Sequence, residues 1–259
     1  METVVTTAGK TNTENIQVAK NIATELGIRY VERKKKSVEK LQLEQQVNVL
    51  VAGKERLEFF AYGTINPFFF HPNSAAFRLK RILKNEREPF LEATGLIAGD
   101  KFLDTTAGLC SDSLIASHVV GEEGKVTAVE KDKMIAYIID RGLKVYQPNF
   151  DELKKAMRRI QVVHNDSVDY LSALKDNSFD VVYIDPMFEE EITESNNFQT
   201  LREIGVTGTL YTEWVEQAKR VAKRRVVLKA HFRSPMFDEY GFTRLTRLTS
   251  KFHYGLIEV

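Results

Sequence analysis

The sequence predicts an α/β fold: a mostly parallel, doubly wound sheet that ends in an antiparallel hairpin, preceded by a small N-terminal α+β domain. Three observations predict it. From Lys101 onward, apolar strand-like runs alternate with amphipathic helix-like runs. Near the end, two β-like runs, 243–248 and 252–259, follow one another across a short turn. The length of 259 residues leaves room for a full domain and a smaller appendage, since one domain usually takes ~100–200 residues.

Taken in order, Val4 to Thr7 reads as a strand and Thr13 to Leu26 as an amphipathic helix stopped by Gly27. Ile28 to Glu32 reads as a second strand. Arg33 to Lys36 is a basic turn, and Val47 to Ala52 with Leu57 to Tyr62 forms a hairpin turning near Gly53. Residues 1–62 are therefore expected to form the small domain. Residues 63–100, with Pro67, Phe68 to Phe70, His71, Pro72 and a helical stretch at Ala75 to Lys84, are expected to connect it to a main domain over 101–259. In that domain the strands are Phe102 to Thr105, Val126 to Glu130, Ile160 to His164, Phe179 to Ile184 and Arg225 to Lys229. The clearest helices are Ser111 to Val119, Lys133 to Tyr146 and Leu210 to Ala222.

Composition excludes several classes. A hydrophobic fraction of 43% with 28% charged residues is that of a folded protein rather than a disordered or fibrous one. The single cysteine, Cys110, cannot form an internal disulfide or a paired-cysteine zinc site, which suits a reducing compartment. The first residues lack a basic and then long apolar leader, and no apolar run approaches ~18 residues, so a cytoplasmic protein without a membrane span is expected. Charge is uneven: residues 1–90 hold 15 Lys and Arg against 10 Glu, and the remainder 22 against 26 acids. The basic N-terminal part hints at a polyanion contact.

Chemistry concentrates at predicted strand ends. The loop Asp104-Thr105-Thr106-Ala107-Gly108-Leu109-Cys110-Ser111-Asp112 follows a strand and opens a helix, where open α/β sheets bind ligands. Gly108 permits close backbone approach, and Asp104 can accept from an amine or hydroxyl. Only one of the three glycines of a dinucleotide fingerprint is present, so a NAD-dependent dehydrogenase is disfavoured. Glu130, at the end of the second strand and 22 residues past Gly108, suits a bidentate grip on ribose hydroxyls. Asp166 follows the third strand, where a carboxylate or neighbouring amide can read an adenine edge.

The fourth strand runs into Asp185-Pro186-Met187-Phe188. This tetrapeptide resembles the motif of S-adenosylmethionine (SAM)-dependent methyltransferases that alkylate an exocyclic or planar amine. The lone pair of such a nitrogen is delocalised into a ring. Accepting its N–H protons on the Asp185 carboxylate and the Pro186 carbonyl localises that pair, while the Phe188 ring stacks on the base.

With these stretches, together with Val126 to Lys131, Asp166-Ser167 and Val226 to Lys229, the chain from about residue 57 onward resembles the RsmJ-type family of small-subunit rRNA guanine-N2 methyltransferases. The resemblance implies a class I, Rossmann-like methyltransferase sheet, S-adenosyl-L-methionine as cofactor, and methylation of a guanine exocyclic amine in rRNA. It implies cofactor contacts at Ser111, Asp112, Glu130, Lys131, Asp166, Ser167 and Asp185, with the loop from Asp104 through Thr106, Ala107 and Gly108 to Asp112 holding the methionine moiety. Asp185, Pro186 and Phe188 would orient the target amine. The chain departs from the family at Cys110, where glycine is usual, at Ser111, where arginine is usual, and at Glu189 to Glu191, where the family tends to be basic. No metal is expected.

Other readings stand beside these. A SAM-binding or RNA-binding protein without catalysis, and a methyltransferase acting on a small-molecule or protein amine, fit the same motifs. Asp-Pro at a strand end is also an ordinary turn. Phe68 to Phe70 read as core, His71 stays open with a base-stacking surface beside Arg78, Lys80 and Arg81 as one reading, and His164 reads as a core histidine. Lys229 reads equally as substrate-facing or solvated, and Cys110 as a packing residue. Thr7 to Thr11 contains Gly-Lys-Thr but lacks the first glycine of a phosphate loop, so a strand-to-helix turn is expected there.

Overall fold

The computed structural model describes residues 1–186, 211–248 and 250–259. These fall into two compact units that divide after Phe70. The first unit runs β1 (Thr3–Thr7), α1 (Thr13–Leu26), β2 (Arg29–Tyr30), α2 (Val38–Gln45), β3 (Asn48–Ala52) and β4 (Leu57–Phe60). Its sheet order is β2-β1-β3-β4, with β1 parallel to β2 and β3, and β4 antiparallel to β3. The Asn12 side chain starts α1 by accepting from Asn15 N at 2.8 Å, and Gly27, at φ 66°, stops it. Val4 and Val5 are both fully buried although adjacent strand residues face opposite sides, so both faces of this sheet are covered. Val4, Val49 and Val51 pack with Leu41 of α2 on one face.

Phe68 and Phe70 are buried in this unit, and Phe68 extends the sheet by a bridge to Phe59. Residues 71–100 contribute α3 (Asn73–Ile82) and α4 (Pro89–Thr94) to the second unit.

That unit continues with β5 (Lys101–Asp104), α5 (Ser111–Val120), β6 (Lys125–Glu130), α6 (Lys133–Val145), α7 (Asp151–Arg159), β7 (Ile160–His164), α8 (Ser167–Ser172) and β8 (Phe179–Ile184). After the undescribed residues come α9 (Thr212–Val221), β9 (Ala222–His231), α10 (Met236–Glu239), β10 (Thr243–Leu245) and β11 (Phe252–Glu258). The seven strands are ordered β10-β11-β9-β8-β5-β6-β7. Strands β5 to β9 are mutually parallel, and β11 runs antiparallel to both β9 and β10. The expected doubly wound sheet with its antiparallel hairpin is therefore present.

Apolar strand runs explain the burial. Val181, Val182, Ile184, Val226 and Leu228 are fully buried, as central parallel strands covered on both faces require. Trp214, Val215, Ala218 and Val221 of α9 pack on one face in a cluster with Leu103, Val182 and Val226. No described helix is long and apolar enough to cross a membrane.

Candidate active site

The chain passes from β5 to β6 and β7 on one flank, then places β8 on the other flank of β5. The sheet therefore changes direction between β5 and β8, and the crevice outside the carboxyl ends of two such strands is where these sheets take ligands. Backbone stitching fixes the two loops there. Thr105 N and Oγ1 both donate to Tyr183 O at 2.9 Å, and Asp185 N donates to Thr106 Oγ1 at 2.8 Å. The predicted residues Asp104, Glu130, Asp166 and Asp185 thus stand at the ends of four neighbouring strands, with Pro186 beside Asp185. Phe188 and Glu189 to Glu191 lie outside the described residues.

Asp104 is buried and accepts from Ser113 Oγ at 2.5 Å and from Thr106 N at 3.0 Å. Burial raises its pKa to about 7 against those two hydrogen bonds, and the nearby Asp112 and Asp185 charges push the same way. The loop then needs left-handed backbone at Gly108 (φ 47°) and again at Cys110 (φ 56°). Glycine adopts this freely, and that gives a physical reason for the glycine usual at the second position. The Cys110 side chain is wholly buried, and burial pushes its thiol well above the ordinary range, which matches a packing residue. Ser111 and Asp112 open α5, and Ala107 is pinned by its N–H to Val129 O at 2.9 Å.

Glu130 is only 6% exposed. Its two oxygens accept from Gly108 N at 3.3 Å and Asp132 N at 2.9 Å. Burial lifts its pKa to about 7, partly offset by those amides. A carboxylate offers about four lone-pair directions, so further hydroxyl donors can be accommodated. Lys131 pairs with Asp166 at 2.9 Å. Asp166 also caps α8 through Val168 N and Asp169 N, while Ser167 Oγ donates to Thr105 O at 2.6 Å.

Beneath Asp185 lies a charge network that sequence reasoning missed. Lys229 Nζ on β9 stands 2.6 Å from Asp185 Oδ2 and 3.2 Å from Asp112 Oδ2. Asp112 also accepts from Arg78 Nη1 at 2.6 Å and from the Tyr183 hydroxyl at 2.8 Å. Arg78 in turn holds Glu88 at 2.8 Å. Burial opposes the Lys229 ammonium, but Asp112 and Asp185 outweigh it and raise its pKa. Burial also opposes ionisation of Asp112, yet Lys229 and Arg78 hold it well below the usual carboxylate range. At Asp185 burial wins, aided by the Asp112 charge, and its pKa is raised despite Lys229.

Two expectations are corrected here. Arg78 belongs to this network rather than to a base-stacking surface; three residues after the buried Ala75, it lies near the inward face of α3. His164 is exposed, with Nε2 at 3.2 Å from Lys131 O, because it ends the edge strand β7 and is not a core position. The spacing in α3 was the available signal for Arg78. Glu88, Tyr183 and Lys229 come from separate elements, and nothing in a single sequence pairs them.

Comparison with known proteins agrees with this geometry. The family model described as "Putative SAM-dependent methyltransferase" matches residues 32–250. A Bacillus subtilis protein named "Uncharacterized protein YpiP" is 43% identical over 255 residues, covering 98% of this chain and 99% of that one. A Thioalkalivibrio sulfidiphilus protein named "Ribosomal RNA small subunit methyltransferase J" is 31% identical over 151 residues, covering 55% of this chain and 56% of that protein. Its Psychrobacter arcticus namesake is 32% identical over 113 residues, or 40% and 36%. The chain thus spans less than two thirds of the length of these two rRNA methyltransferases. The crystal structure of the SAM-dependent methyltransferase NGO1261 from Neisseria gonorrhoeae shares the fold, with a TM-score of 0.65 at 16% identity over 98% of this chain and 95% of that one. Strand order, the acids at the strand ends and the family match over most of the length agree: the chain belongs to the family of S-adenosyl-L-methionine-dependent methyltransferases.

Proposed function

We propose that this methyltransferase N-methylates an exocyclic amine of guanine in RNA, with small-subunit rRNA as its substrate. The observation that carries the reading is the Asp185 carboxylate. Lys229 holds Oδ2 at 2.6 Å, and Oδ1 has no partner among the described residues. The side chain is 29% exposed, at the end of a strand beside the sheet's switch point. An oriented acceptor with one open oxygen suits the N–H of a planar amine, and the Pro186 carbonyl is the adjacent second acceptor. The rRNA substrate rests on the partial similarity to the two proteins named ribosomal RNA small subunit methyltransferase J.

The residues fit the cofactor. Glu130 combines burial with unused acceptor capacity, as vicinal ribose hydroxyls need, and Gly108 brings backbone close without a side chain. Lys131, Asp166 and Ser167 frame the adenine end, and the loop through Asp104, Thr106, Ala107, Gly108, Ser111 and Asp112 frames the methionine end. Asp112 acts there through Lys229 and Arg78, since its oxygens already accept three donors. S-adenosyl-L-methionine supplies an electrophilic methyl group on a sulfonium with a neutral thioether as leaving group. Asp185 Oδ1 and the Pro186 carbonyl oxygen hold the amine N–H groups, and Asp185 is placed to take the proton that the alkylated nitrogen must lose. Phe188 stacks on the base in this reading.

Incubating the protein with methyl-labelled SAM and unmethylated ribosomal RNA, followed by nucleoside analysis, tests the proposal. Label in N2-methylguanosine is expected. Label confined to another nucleoside, or to protein or small molecules, would sink the guanine-N2 reading.

A second expected result concerns Glu130→Gln. Losing a charged acceptor for the ribose should weaken SAM binding by ~10-fold or more, measured by calorimetry. Hydroxyl donors favour the ionised carboxylate, whose pKa in the free site is about 7. Wild-type affinity should therefore fall as pH drops through that value, and the Gln variant should fall less, keeping only what Asp104, also raised to about 7, contributes. Equal pH profiles for the two proteins would remove Glu130 from the cofactor site.

A further inference from the structure

The small N-terminal sheet has its own switch point. From β1 the chain goes through α1 to β2 on one flank, then through α2 to β3 on the other flank, and both neighbours run parallel to β1. Three loops therefore gather at one edge, the carboxyl ends of β1, β2 and β3. They are residues 8–12, 31–37 and 53–56. Contacts tie them together: Ala8 N donates to Ala52 O at 3.3 Å, and Val31 N to Val5 O at 2.8 Å.

This edge is basic and built. Arg33 spends its guanidinium on shape, donating to Thr7 O at 3.0 Å and to Lys36 O at 2.9 Å. The loop it pins puts two successive lysines, Lys34 at φ 47° and Lys35 at φ 60°, in the left-handed region that side chains rarely adopt. Lys36 turns back to Glu44, and Arg56 pairs with Glu58 at 2.7 Å while lying over the Phe69 ring at 3.7 Å. That leaves Lys10, Lys34, Lys35 and Lys54, all exposed, with no carboxylate partner among the described residues. The same loops carry Glu32 and Glu55, and the edge stays net positive with both counted.

We infer that the carboxyl edge of the N-terminal sheet is an RNA-backbone binding surface, on which Lys10, Lys34, Lys35 and Lys54 contact phosphates. The Gly9-Lys10-Thr11 turn serves there as one of three phosphate-facing loops and not as a nucleotide-hydrolysing one. Crevices at switch points receive ligands, and exposed lysines without acidic partners fit a chain of phosphodiesters. The inference rests on RNA being the substrate.

The test uses the full chain, a fluorescein-labelled oligouridylate RNA and anisotropy titrations at several salt concentrations, without cofactor. Lys34→Glu/Lys35→Glu and, separately, Lys10→Glu/Lys54→Glu should each weaken binding by ~10-fold or more. Each should also flatten the log–log salt slope by ~1.4, at about 0.7 per lost phosphate contact. Lys101→Glu/Lys125→Glu makes the same charge change at the amino ends of β5 and β6, outside these loops, and should leave binding near wild type. Equal loss in all three variants would reduce the effect to net charge and overturn the inference. Unchanged binding in both edge variants would also overturn it, as would capture by phosphatidylserine vesicles with no binding of RNA. Calorimetric SAM titration of the same proteins separates this result from the active-site reading, because edge variants should bind SAM as wild type does. A wild type that binds SAM but no RNA overturns the surface alone.

Discussion

Asp185→Ala is expected to lower the rate of methyl transfer by ~10²- to 10³-fold, or about 2.7–4 kcal/mol of transition-state stabilisation, with a far smaller effect on SAM affinity. The reason is specific to one atom. Oδ2 is held by Lys229, and Oδ1 has no partner among the described residues. In the proposed mechanism, removing the carboxylate removes both the acceptor for the amine N–H and the site that takes its proton. Asp185→Asn keeps an acceptor oxygen and the side-chain volume but loses the charge, so its rate should fall between those of the wild type and the Ala variant. The measurement is initial rate against RNA concentration, with SAM affinity and melting temperature taken on the same preparations. Full transfer by a folded Asp185→Ala protein would end the mechanism proposed for this site.

Much of the path to Asp185 is written in the sequence, because buried parallel strands must be nearly continuous apolar runs and a strand end must then change character. Phe179 to Ile184 stops at an Asp-Pro, Val126 to Val129 at Glu130, and Phe102 and Leu103 at Asp104. The observed strands start or stop within one residue of these runs. Helix α1 was equally legible, from its amphipathic run and the Gly27 that stops it.

The elements that escaped notice lack such signals. Helix α2 is a polar eight-residue stretch, and α4 and α8 have six residues each, too short for a period to register. Helix α7 looks like a solvated charge run, although Leu153, Ala156 and Met157 recur at helical spacing and are buried. Strand β9 begins at Ala222 straight after α9, with no turn residue to mark the change, so its first three residues were not anticipated. The network around Lys229 was illegible for another reason. Its members lie on α3, α5, β8 and β9 and just before α4, and only the fold brings them together.

Lys229→Met should therefore destabilise the second unit by ~3–5 kcal/mol, since removing one partner of a buried ion pair leaves uncompensated charge. Here two carboxylates lose it. Asp112 keeps Arg78 and Tyr183, but Asp185 loses its one cation within ion-pair distance among the described residues. The Asp112→Asn/Lys229→Met double variant should cost less than the sum of the single changes, because both partners of one pair go together. The pH dependence follows from the two shifts. Lys229 is raised above 10.5, so its contribution is complete below that value and is lost as pH climbs through the folded pKa. Asp112 is lowered below 3.8, so its contribution is complete above that value and is lost as pH falls through the folded pKa. Across the interval between, the loss on Lys229→Met, read by chemical denaturation, should therefore change little from these two groups. Lys229→Arg should recover most of the stability, since it restores the charge. It should recover less of the transfer rate, because a planar guanidinium cannot hold Asp185 Oδ2 as a compact ammonium does. A Lys229→Met protein as stable and as active as the wild type would show that the network neither supports the sheet nor orients Asp185.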